Sequence, residues 1–309
     1  MDAWHGKRVV VAGGAGFIGR HLVKALTDAG AEVAVVDDLS TGRDIGRVSL
    51  TIADIATVER LPIAAEVVFN LACPASPRAY QADPVQTWRT SVLGVWNLSQ
   101  LALAAGARFV QASTSEVYGD PLVHPQTEDY PGNVVLNGPR ACYDEGKRAA
   151  EVLLYDMART KGLDIRVARI FNTYGPGMAR DDGRALPAFI QAALAGVPLR
   201  LEGGGAQTRS FCHVDDLVRG LMSLAASGKA RVLPVNLGNP DERTILDTAK
   251  LILRLTSSRS LLLDVEEAQN DPKRRWPDIT RARDLLGWEP RVRFEDGVMS
   301  MIDDYALQP

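Results

Sequence analysis

The chain has 309 residues, of which 46% are hydrophobic and 24% charged, and a formal net charge of −3. That balance describes an ordinary globular protein, long enough for a sizeable core and roughly two domains, and it excludes a disordered chain. It also excludes a broad basic surface for nucleic acid, since the one compact basic run is Lys273-Arg274-Arg275.

Arg8-Val9-Val10-Val11-Ala12 is a short, β-branched apolar run that predicts a buried parallel strand. Met1 to Lys7 leads into it without a signal-peptide core, and no apolar stretch approaches the roughly 18 residues that span a bilayer. A cytoplasmic protein without membrane attachment is therefore expected. Gly13-Gly14-Ala15-Gly16-Phe17-Ile18-Gly19 follows the strand, after which Phe17, Ile18, Leu22, Val23 and Leu26 recur at helical spacing through Ala29. The glycines thus sit where a strand becomes a helix. Gly13 permits the tight turn, Gly16 admits a pyrophosphate to the backbone, and Gly19 lets helix and strand pack closely; the helix N-terminus offers free amides to the anion. A second strand, Glu32 to Val36, ends at Asp37 about 20 residues after the loop. There a carboxylate accepts hydrogen bonds from both ribose hydroxyls of NAD and repels the extra phosphate of NADP.

Further strands are expected at Val48 to Ile52, Val67 to Leu71, Arg108 to Ala112 and Ile165 to Ile170, alternating with helical patterns as in a doubly wound parallel sheet. Helices are expected from Pro84 to Ala105 and from Tyr143 to Lys161. Each is apolar on more than one face, which suits burial in its own chain or packing against a partner subunit. Cys73, Cys142 and Cys212 are odd in number and widely spaced, which fits reduced thiols. His5, His21, His124 and His213 show no ligand spacing with them, so no metal site is expected.

The strand from Arg108 runs into Ser113-Thr114-Ser115-Glu116, and ligands of open parallel sheets bind beyond the carboxyl ends of strands. Tyr143 and Lys147 are four apart and share a helix face. A tyrosine has a pKa near ~10, and a nearby ammonium and a nicotinamide cation both favour its phenolate. Lys147 can also hold a ribose hydroxyl. Beyond Ile170 the alternation weakens, with turns at Gly175-Pro176-Gly177 and Gly203-Gly204-Gly205. The expected fold is α/β: a Rossmann-type doubly wound sheet over residues 1–170, with 207–235 returning to it, and a smaller C-terminal substrate-binding lobe mainly within 171–309.

With these elements in place, the chain resembles the extended short-chain dehydrogenase/reductase family, and within it the UDP-glucuronate decarboxylase branch. The resemblance lies in Asn70 to Pro77, Ser113 to Pro121, Gly138 to Arg148, Arg169 to Pro176, Gln207 to Phe211 and Arg275 to Ile279. It implies NAD as cofactor, a nucleotide-sugar substrate, no nucleic-acid partner and a homodimer. It implies that Tyr143, aided by Thr114 or Ser115, takes the proton from the hydroxyl on sugar carbon 4, and that Glu116 and Arg275 serve decarboxylation. Arg209 and Asn172 become diphosphate ligands, a role that Arg275 could equally fill. Phe17, Ile18, Asp54, Ile55, Leu71, Ala72, Thr173 and Arg184 join the glycines, Asp37, Tyr143 and Lys147 at NAD. Three features depart from the family pattern: the loop Asp37 to Gly42, the glycines after Glu202, and Trp276 beside Arg275. A nucleotide-sugar 4-epimerase, a 4,6-dehydratase, a decarboxylase that releases the ketopentose, and a redox-sensing protein that only binds NAD stay open as alternatives.

Overall fold

A computed structural model describes residues 3–42, 45–46, 48–266 and 273–307. Met1 and Asp2 of the N-terminal segment lie outside them. The chain opens with β1 (Arg8–Ala12), α1 (Phe17–Asp28), β2 (Glu32–Asp37), β3 (Ser49–Ile52) and β4 (Val67–Asn70). Next come α2 (Pro77–Ala82), α3 (Pro84–Arg89), α4 (Val95–Ala104), β5 (Arg108–Thr114), α5 (Ala141–Lys161), β6 (Ile165–Ile170) and β7 (Thr173–Tyr174). The remainder comprises α6 (Ala185–Ala195), β8 (Leu199–Glu202), β9 (Thr208–Ser210), β10 (Cys212–His213), α7 (Val214–Ala226), β11 (Pro234–Leu237), β12 (Glu242–Thr244), α8 (Ile245–Leu255), β13 (Leu262–Val265), α9 (Thr280–Leu286) and α10 (Phe294–Leu307).

Seven parallel strands form one sheet in the order β11-β6-β5-β4-β1-β2-β3. Val9, Val10 and Val11 are fully buried because helices cover both faces, which is why β1 reads as a continuous apolar run. One face packs α1 and α7 through Leu22, Leu26, Leu217 and Leu221; the other packs α4 and α5 through Leu98 and Leu154. Strand order reverses between β1 and β4, so a crevice opens beyond their carboxyl ends. Three two-stranded sheets, β10-β7, β12-β9 and β13-β8, surround a third core that includes Phe189, Ile252, Phe294 and Tyr305.

The strands and the two helix starts lie within two residues of their expected positions, with two informative differences. The stretch Pro84 to Ala105 is not one regular helix: a wide π turn at Thr90–Gly94 separates α3 from α4. A single wide turn shifts the helical phase too little for apolar spacing to register it. Strand β11 has no counterpart in the expected strands. It is four residues long and begins at Pro234, whose missing N–H is tolerated at a strand's first position.

Candidate active site

A cavity of about 1040 Å³ lies along the carboxyl edge of the sheet. The chain brings every candidate residue to its wall: Gly13, Gly16, Phe17, Ile18, Gly19, Asp37, Asp54, Ile55, Leu71 and Ala72 toward β1–β4, Thr114, Ser115, Glu116, Tyr143 and Lys147 in the middle, and Asn172, Thr173, Arg184, Arg209 and Arg275 on the far side.

At the first end, the glycine loop is wedged between strand ends. Gly13 has φ +75°, and a Cβ there would lie 2.6 Å from the backbone of Leu71 and Ala72. At Gly19 a Cβ would sit 2.1 Å from the Gly13 carbonyl oxygen. Gly16 caps α1 without a side-chain hydrogen bond, so the first amides of a 12-residue helix open onto the cavity. Asp37 ends β2 with its carboxylate accepting the Ala15 and Leu39 amides at 2.9 and 2.8 Å, which fixes it on the cavity wall with acceptor capacity left. Asp54 is fixed likewise by the Ala56 amide at 2.8 Å and by Gln86 Nε2 at 3.1 Å. An anion cradle followed by a buried carboxylate fits NAD. Gly19→Ala is expected to weaken NAD binding roughly ten- to a hundredfold in calorimetric titration, because relieving an overpacked backbone contact costs about 1–3 kcal/mol.

In the middle, the last residues of β5 and the first turns of α5 face each other. Tyr143 is buried, its ring stacked on Tyr80 with centroids 5.1 Å apart and planes 10° apart. Lys147 Nζ donates to the Ala112 carbonyl at 3.0 Å and lies 5.6 Å from the Tyr143 ring centroid. Burial dominates and pushes the Tyr143 phenol up, opposed by a hydrogen bond with the Thr114 side chain. Thr114 Oγ1 in turn accepts the Glu116 amide at 3.2 Å.

Glu116 is neither a surface carboxylate nor a helix cap. It is buried between two guanidiniums: Arg275 meets both carboxylate oxygens at 2.7 Å, and Arg140 donates to Oε2 at 2.7 Å. Burial raises the carboxyl pKa, but Arg275 and then Arg140 outweigh it and hold it below the usual range. Glu116 and the two guanidiniums that clamp it all line the cavity. Arg275 also donates to Asn172 Oδ1 at 3.4 Å. Arg209 lines the same wall, and Arg184 is held by a bidentate pair with Asp182, one arm at 2.8 Å. Thr173 Oγ1 donates to the Phe171 carbonyl at 2.9 Å. Among the described residues no cluster of three or more His, Cys, Asp or Glu side chains is placed to hold a metal.

Arg140 and Tyr80 escaped the reading of the sequence. Arg140 lies three residues before Tyr143, and that spacing, which puts the two on one helix face, is the signal that could have found it. Tyr80 has no comparable signal, because it reaches Tyr143 from α2 across the crevice. Asp144 is a further buried group: its Oδ1 has no hydrogen-bond partner among the described residues, and burial, then Glu116, push its pKa up to about 7. A carboxyl raised in the fold stabilises it below the unfolded-state pKa, and that contribution is lost as pH rises through the folded value. Asp144→Asn is therefore expected to raise the melting temperature above about pH 7 and to leave it unchanged below about pH 4.

A profile described as the NAD dependent epimerase/dehydratase family matches residues 9–238. The chain is 49% identical over 308 residues to UDP-glucuronic acid decarboxylase 1 of Danio rerio, covering 98% of this chain and 73% of that protein. It is 46% identical over 308 residues to UDP-glucuronic acid decarboxylase 6 of Arabidopsis thaliana, covering 97% and 89%. Among solved structures, MoeE5 in complex with UDP-glucuronic acid and NAD superposes with a TM-score of 0.86 at 28% identity, covering 97% of this chain and 99% of that one.

Proposed function

The chain belongs to the NAD dependent epimerase/dehydratase family, and from that premise we propose that it decarboxylates UDP-glucuronate to UDP-xylose through a 4-keto intermediate. The single observation that carries this reading is the buried Glu116–Arg275 pair, joined by Arg140, in the same cavity as Tyr143 and Lys147. A sugar carrying a carboxylate suits a water-poor wall that presents guanidiniums, whose planar forks match carboxylate geometry.

NAD, when bound, would supply the hydride acceptor and donor for sugar carbon 4 and a positive charge beside the phenol. Tyr143 takes the proton of the carbon 4 hydroxyl, with Thr114 and Ser115 holding that oxygen, while Lys147 binds a ribose hydroxyl. The ketone so made lies β to the carboxylate that Arg275 holds, and carbon dioxide leaves with its bonding electrons passing into the ketone as an enolate. Glu116, kept ionised by its two arginines, orients them. Polar groups of this wall deliver the proton to the former carboxylate-bearing carbon, and Tyr143 returns its proton to oxygen 4 as the ketone is reduced. Asn172 and Arg209 bind the diphosphate. Gly13, Gly16, Phe17, Ile18, Gly19, Asp37, Asp54, Ile55, Leu71, Ala72, Thr173 and Arg184 bind the coenzyme.

The same reading assigns residues 1–170, with 207–235, to coenzyme binding and 171–309 mainly to the substrate. It includes a homodimer, supported by the exposed apolar side chains Val85, Trp88, Leu93, Trp96 and Val152 on α3, the π turn, α4 and α5. It places the protein in the cytoplasm, supported by three free cysteines. No helix among the described residues is long and apolar enough to cross a membrane. Incubation of the purified protein with UDP-glucuronate and NAD is expected to yield carbon dioxide and UDP-xylose in equal amounts. A product of unchanged mass inverted at carbon 4 would overturn the assignment, and a released ketopentose would overturn the hydride return.

A further inference from the structure

Arg275 sits on neither a helix nor a strand. With Trp276 it forms a two-residue span between two isolated bridges, Thr208 with Arg274 on one side and Gln126 with Pro277 on the other. The direction of its guanidinium therefore depends on how firmly that span is held.

Gln126 holds the backbone of the span's Trp276 side, while the Trp276 indole N–H donates to the Pro240 carbonyl at 2.9 Å. The Gln126 amide N–H donates to the Trp276 carbonyl at 2.7 Å, and the Gln126 carbonyl accepts the Asp278 amide at 2.9 Å. The Gln126 side chain then closes the grip: Oε1 accepts the Trp276 amide at 2.7 Å, while Nε2 donates to the Val123 carbonyl at 3.0 Å and to His124 Nδ1 at 2.7 Å. Both backbone polar groups of Trp276 thus end on a single glutamine. Gln126 is 1% exposed and is absent from the cavity wall, so it acts on the reaction only through what it holds. A polar thread continues from it to the other half of the site. Asn236 Nδ2 donates to the Gln126 and Asp278 carbonyls, Asn236 Oδ1 accepts from Tyr118, and Tyr118 accepts from Arg169. Arg169 pairs with Glu151, which accepts the hydroxyl of Ser113, the neighbour of Thr114.

We propose that Gln126 is a positioning residue that sets Arg275 against Glu116 by fixing the backbone of Trp276. The inference rests on the proposed role of Arg275 toward the substrate carboxylate. Gln126→Leu removes the Oε1 acceptor and strands a buried N–H one residue from Arg275. Misplacing a charged group by about an ångström costs on the order of a hundredfold in rate. The variant is expected to release carbon dioxide from UDP-glucuronate roughly ten- to a hundredfold more slowly while reduced nicotinamide still forms, and to lose affinity for UDP-glucuronate but not for UDP-glucose, which lacks the carboxylate. Gln126→Glu, kept neutral by burial, retains an acceptor for the Trp276 amide and an O–H donor toward the Val123 carbonyl or His124 Nδ1, and is expected to restore carbon dioxide release to within about threefold of the parent. Unchanged decarboxylation in Gln126→Leu, equal loss of affinity for both sugars, or a Gln126→Glu variant that oxidises but does not decarboxylate would each overturn the proposal. If Gln126→Leu does not fold, Gln126→Glu decides alone by that criterion. A parent chain that releases no carbon dioxide from UDP-glucuronate refutes the proposed function instead. The affinity ratio between the two sugars, compared in parent and Gln126→Leu by calorimetry, then reads the positioning role: a ratio that collapses supports it, and a preserved ratio sinks it.

Discussion

Tyr143→Phe is expected to lower turnover by about 10²–10⁴-fold while NAD affinity stays within about twofold of the parent chain. The ring is buried and stacked on Tyr80, and phenylalanine preserves that stack, so packing changes little. Lys147 keeps its bond to the Ala112 carbonyl. What disappears is the phenol oxygen that hydrogen-bonds with the Thr114 side chain. Because burial pushes the phenol up, turnover in the parent chain should rise with pH as the phenolate becomes available, and that rise should vanish in the variant. Stopped-flow formation of reduced nicotinamide, carbon dioxide release and calorimetric NAD binding together check this. Undiminished turnover would remove Tyr143 from the proton-transfer role.

The largest stability effect is expected behind the site rather than in it. The buried Glu151 forms an ion pair with the half-buried Arg169, whose Nε and Nη2 lie 3.1 and 2.8 Å from the two carboxylate oxygens. Burial opposes the Arg169 charge, but the bond to Glu151 outweighs it and holds its pKa above the ordinary value. Glu151 also accepts the Ser113 hydroxyl, and Arg169 also donates to Tyr118 and to the Glu128 carbonyl at 2.8 Å. Arg169→Met should cost about 3–5 kcal/mol, since it leaves Glu151 charged and uncompensated in the interior. That is a large share of the roughly 5–15 kcal/mol by which a domain is stable. Adding Glu151→Leu should recover part of the loss, because removing both charges leaves neither to be solvated. Urea unfolding of the parent, the single and the double variants measures each step. A single variant within 1 kcal/mol of the parent, on the order of an exposed pair, would show that solvent reaches this carboxylate.

Sequence and structure agree where information is local. The strand Arg8–Ala12, its glycine turn, the helix from Phe17 and the acidic end at Asp37 were legible because apolar period and turn chemistry depend on residues a few positions apart. Tyr143 and Lys147 were legible for the same reason, as neighbours on one helical face. Their pairing with Thr114 followed from the rule that parallel sheets bind ligands beyond their carboxyl ends. The wide turn at Thr90–Gly94 was not legible, since it hardly disturbs the apolar phase. Nor was the short strand at Pro234, which pairs with β6 only after α7 has crossed the sheet.

Glu116 shows where local reading stops. Its carboxylate is bound by Arg140, 24 residues away, and by Arg275, 159 residues away, and Arg275 is held in turn by Gln126 through Trp276, 150 residues apart. No spacing in the chain encodes those distances. A nucleotide-binding strand–turn–helix and a tyrosine–lysine helix face are short-range patterns that composition and period already dictate. Whether a glutamate among them ends up solvated or clamped between two guanidiniums depends on which remote loops close over it, and only the folded chain brings in the arginines that outweigh its burial and keep it ionised.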